Sequence, residues 1–95
     1  MNREGDLRII WGNSIDRAAT PRYVVTFACY QPPASFGAHR PKEIVGEAEL
    51  LRFLGRVEVG TDELKLQMPK LHEKGETEFA HTILSDERLT ELGLI

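Results

Sequence analysis

The sequence predicts an α+β fold: about three antiparallel strands, two longer helices and a short C-terminal helix, in the order β-β-α-α-β-α. Three observations lead there. Short runs dense in β-branched and aromatic residues, or alternating at period two, occur at residues 7–11, 23–30 and 77–84. Apolar residues recur at helical spacing within 47–57 and 61–75. Residues 84–94 carry start and stop signals for one short helix. The chain of 95 residues fits one domain, residues 1–95.

Leu7, Ile9 and Trp11 alternate and predict the first strand. Gly12, Asn13 and Ser14 are turn residues, and Pro21 closes the connection. Residues 23–30 (YVVTFACY) predict the second strand. Tyr23, Val25, Phe27 and Cys29 share one face, and Val24, Thr26, Ala28 and Tyr30 the other. Both faces are largely apolar, which predicts a central strand covered on both sides or nearly so. The two strands are expected to pair antiparallel through a long loop. Residues 31–41 contain Pro32, Pro33, Gly37 and Pro41, and are expected to be irregular.

Leu50, Leu51, Leu54 and Val57 form a stripe over Glu47–Val57, with Glu47 and Glu49 at the dipole-favoured end. Thr61–Gly75 reads two ways. Thr61 as N-cap, Asp62 and Glu63 behind it, and Gly75 after Lys74 favour a helix, kinked or broken at Pro69. Alternation of Leu64, Leu66 and Met68 allows a strand plus turn. Residues 77–84 predict the third strand, with Phe79, His81 and Ile83 on one face. Ser85 then caps a helix over Asp86–Leu92, with Leu84 and Leu89 as hydrophobic staple. Gly93 and Leu94 supply a Schellman ending. A helix this short is not stable alone, so Leu89, Leu92 and Leu94 must dock.

The chemistry is bounded mainly by exclusions. No His-Glu-x-x-His, Cys-x-x-Cys, phosphate loop or nucleophile elbow occurs, so no metal, cofactor or catalytic residue is expected. Cys29 is the only cysteine, lies in the most apolar strand, and is expected to be buried and inert. Glu47 with Glu49, and Asp86 with Glu87, are explained as helix N-terminal charges. No stretch approaches a membrane span, and Met1–Asp6 opens no signal-type apolar run, so a cytoplasmic protein is expected.

Charge is uneven: residues 1–42 carry a net +3 and residues 43–95 a net −6. Such asymmetry can mark a site for an anionic partner, although scattered, solvated charge gives the same totals. Within residues 31–42, Phe36, His39, Arg40 and Lys42 combine an aromatic with cations, and Arg17 and Arg22 add positive field. These six are the candidate ligand- or partner-binding residues.

The function expected first is a non-enzymatic protein-interaction or regulatory module, with a protein partner or a homodimer as its complex. The second reading is a binder of an anionic ligand or single-stranded nucleic acid through residues 17–42. The third is a small enzyme using His81 or Cys29 in a pocket.

Overall fold

The computed structural model describes residues 2–12, 20–30 and 40–95. The elements are β1 (Asn2–Trp11), β2 (Arg22–Cys29), β3 (Lys42–Val45), α1 (Glu47–Val57), α2 (Thr61–Lys74), β4 (Glu76–Ser85) and α3 (Asp86–Glu91). The α+β class and the expected helices stand. The sheet has a fourth strand, β3, giving the order β-β-β-α-α-β-α.

The four strands are antiparallel in the spatial order β3-β2-β1-β4. Leu7 pairs with Phe27, Ile9 with Val25 and Trp11 with Tyr23. Leu7, Ile9, Tyr23, Val25 and Phe27 are buried, and this face carries the helices. The opposite face, built on Arg8, Ile10, Val24, Thr26 and Ala28, is half-buried to exposed. The expectation that β2 is covered on both faces is therefore corrected. Alternation in an antiparallel sheet allows one dry face and one wet one, and β2 is central without being sandwiched.

Helix α1 buries Leu50, Phe53, Leu54 and Val57, spaced i, i+3, i+4 and i+7. Phe53 takes the core position expected of Leu51, which is 44% exposed. The reason is angular: residue 51 lies about 100° around the helix from residue 50, while residues 53 and 54 return to its side. Helix α2 runs without interruption through Pro69, and the strand alternative falls. Pro69 is on the solvent side, where the carbonyl that loses its helical donor can turn to water. The N-cap is Gly60, so Thr61 is the first helical residue rather than the cap. The left-handed Gly75 ends the helix, its N–H donating to the Leu71 carbonyl at 2.9 Å.

The chain end follows its local signals. Ser85 Oγ accepts from the Arg88 N–H at 3.0 Å. Gly93 N–H donates to Thr90 O at 3.1 Å and Leu94 N–H to Leu89 O at 2.9 Å, the two bonds of a Schellman ending. Leu84, Leu89, Leu92 and Leu94 are all buried in the shared core. No helix among the described residues is long and apolar enough to cross a membrane.

Strand β4 contains a bulge. Gly5 faces Thr82 and Leu7 faces Phe79, so β4 spends one residue more than β1 over that span. His81 sits in the bulge with φ 55, in the left-handed region. The extra residue breaks the simple alternation. Phe79 stays in the core while His81 and Ile83 are exposed, so the three do not share one buried face.

Candidate interaction site

Of the six sequence-derived candidates, Arg17, Phe36 and His39 lie outside the described residues. The other three do not form one cluster. Arg22 lies opposite Val45 and holds Glu43 in a 3.0 Å ion pair. Lys42 lies opposite Val25, in register with the helix-bearing face, and its side chain runs beside Gly93. Arg22 and Lys42 are thus on opposite faces of the sheet. Arg40 is exposed, and its N–H donates to the Leu94 carbonyl at 3.0 Å, tying the entry to β3 to the chain end.

Lys42 instead joins a groove that needs the whole fold to form. Strand β3 is an edge strand, and α1 follows it after the single residue Gly46, whose φ of 93 lets the chain reverse. Between strand and helix runs an open groove of ≈ 390 Å³. Ile44 and Phe53, each 6% exposed, line it on the core side. Lys42, Arg52 and Arg56 supply its cations, and Glu43 and Glu49 its carboxylates. Among the described residues no strand lies beside the outer edge of β3, so part of its backbone donors and acceptors faces the groove mouth.

Arg52 and Arg56 were not among the sequence candidates. Their signal is present: two arginines four apart, opposite the Leu50, Phe53, Leu54, Val57 stripe. What the sequence lacks is any sign that β3 lies next to them.

A second polar cluster sits on the open face. The Tyr30 hydroxyl donates to Asp6 and accepts the His81 backbone N–H at 2.9 Å. The His81 ring meets Tyr30 edge-on at 5.4 Å between centroids, and its Nδ1 is 3.6 Å from Glu4. Tyr30 thereby links the end of β2, the middle of β1 and the bulge of β4. The hydrogen bond to Asp6, helped by desolvation, pushes its phenol above the ordinary tyrosine value. His81 is 76% exposed and borders an open cavity of ≈ 180 Å³ walled by Val57, Val59, Gly60 and Phe79. The cluster ties the ends and middles of three strands together.

Cys29 is half-buried rather than fully buried. Desolvation pushes its thiol upward, against the lowering effect of Arg3. No group of three or more histidine, cysteine or carboxylate side chains placed to hold a metal occurs among the described residues. Compared with protein-family models, curated proteins and solved structures, the chain matches none.

Proposed function

We propose that this chain is a protein-interaction module that receives an extended segment of its partner along β3, in the groove against α1. The observation that carries the reading is a strand edge, unpaired among the described residues, lying beside an apolar floor. Edge strands are usually blunted, because their free N–H and C=O groups recruit other chains. Here a helix stands off the edge and leaves a trough instead of covering it. In strand addition, main-chain hydrogen bonds supply affinity and the flanking groove reads alternate side chains. Four residues of edge is a short platform, consistent with a transient contact of small area.

The test is peptide selection followed by mapping. Decapeptides selected from a displayed random library on the whole protein are added to it, and amide hydrogen exchange is followed. The reading expects protection gathered on residues 42–45 and the facing side of α1. Protection confined to other surfaces, or none at all, would refute it.

A further inference from the structure

We infer that the segment received at β3 is acidic, with a bulky apolar side chain between its carboxylates; this rests on the strand-addition reading above. Side chains of an added strand alternate between the two faces of the sheet, so every second one faces α1. One of these covers Ile44 and Phe53 and takes their remaining apolar surface out of water. The side chains two positions to either side stand about 7 Å along the strand. The cations that line the same groove, Lys42, Arg52 and Arg56, are the groups for those flanking side chains to meet.

Charge sets the sign of those flanking groups. Glu43 is engaged by Arg22 at 3.0 Å. Glu49 sits 3.5 Å from Arg52 in an exposed i,i+3 contact, and such surface pairs are weak. With the Arg22–Glu43 pair set aside, Lys42, Arg52 and Arg56 against Glu49 leave the groove at a net +2, on a chain whose net charge is −3. The lining of the groove is thus opposite in sign to the chain as a whole, which favours an anionic segment there. Arg52 and Arg56 are one helical turn apart, and like charges at that spacing repel. A carboxylate received between them relieves the repulsion. A second cationic cavity, beside α2, has a smaller excess: Arg8, Lys70 and Lys74 face Glu76 and Glu78 there.

Two fluorescent, end-blocked peptides test the inference on the whole protein at low salt. One reads Thr-Glu-Thr-Leu-Thr-Glu-Thr, and the other has lysine in place of both glutamates. The acidic peptide should bind about tenfold or more tightly than the basic one. Arg52→Glu with Arg56→Glu should reverse that order, while Lys65→Glu with Lys70→Glu on α2 should change neither. All four positions are exposed, and thermal melts by circular dichroism show whether each variant is folded. A variant that fails to fold is replaced by Arg52→Gln with Arg56→Gln, which should abolish the preference. If both peptides bind equally and still protect residues 42–45, the acidic inference falls and strand addition stands. If neither protects β3, both fall. If an oligothymidylate displaces the acidic peptide and binds as tightly, the groove is a general polyanion site and the inference is overturned. Self-association of the protein that β3 alone mediates, seen by sedimentation, would overturn it in favour of a second copy.

Discussion

The backbone N–H of His81 donates to the side-chain hydroxyl of Tyr30 at 2.9 Å, across the full width of β1. This bond holds a non-glycine residue at φ 55, a conformation that costs an L-amino acid roughly 1–2 kcal/mol. Removing the anchor and relieving the strain should act in opposite directions. Tyr30→Phe should lower the midpoint of urea unfolding. His81→Gly should leave it unchanged or raise it, and His81→Val, β-branched at positive φ, should lower it by about 1 kcal/mol or more. Equal stability of the glycine and valine variants would show that the bulge carries no strain. The phenol adds a pH signature. Its folded value lies above the unfolded one, so its contribution is complete below about pH 10 and is lost as pH rises through the folded value. Tyr30→Phe should flatten that alkaline slope.

Ser85→Ala should destabilise the protein by about 0.5–2 kcal/mol, through loss of the hydroxyl that accepts the Arg88 N–H. For a domain of this size that is a melting shift of several degrees, roughly 4–8 °C per kcal/mol. Removing residues 85–95 should cost far more, because Leu89, Leu92 and Leu94 leave the core together. Calorimetry of both forms checks the ranking, and a truncated chain as stable as the parent would contradict it.

Acid sensitivity should pass in part through Asp86. The Arg3 guanidinium, 2.9 Å away, holds its carboxyl below the ordinary carboxylate value. A depressed folded value means the stabilisation is complete above the unfolded value near 3.9 and lost as pH falls through the folded one. Asp86→Asn should therefore remove part of the stability lost on acidification below about pH 4 and change the slope little above pH 5. Denaturant midpoints collected across that range decide it. A variant with the parent's acid profile would show the pair to be silent.

Cys29 should react slowly with a thiol reagent at neutral pH and faster as pH rises past the ordinary thiol range. Its half-burial limits access, and desolvation keeps it protonated. The rate in the native protein should lie well below that in urea. Equal rates would contradict the picture.

The parts of the fold legible in the sequence were those specified locally. Ser85, Leu84, Gly93 and Leu94 each act within a few residues of α3, and their cap, staple and Schellman bonds appear as read. The strongly apolar β2 was equally plain. Strand β3 was not, because Lys42-Glu43-Ile44-Val45 offers four residues, two of them charged, and only Ile44 enters the core. Its strand identity comes from pairing with residues 22–25 of β2. The bulge at His81 was hidden for the same kind of reason, since it is a mismatch between two strands more than seventy positions apart. The candidate groove depends on β3 and so is not legible in the sequence, although Lys42, which lines it, is one of the sequence-derived candidates. Leu51 misled because a leucine pair offers two phases of the same stripe, and only packing selects one.

The bulge in β4 also gives the sheet two unlike ends. At β3 the edge left open among the described residues continues over all of Lys42–Val45, whereas at β4 the ladder positions shift where His81 is inserted. A strand laid along β4 would lose register between Phe79 and Thr82. Head-to-tail growth needs both an acceptor edge and a regular donor edge on each copy. The bulge splits the second into two stretches of four residues, so a continuous head-to-tail array along β4 is disfavoured. The complex proposed at β3 would accordingly hold one segment per chain and saturate with concentration instead of lengthening into a fibre.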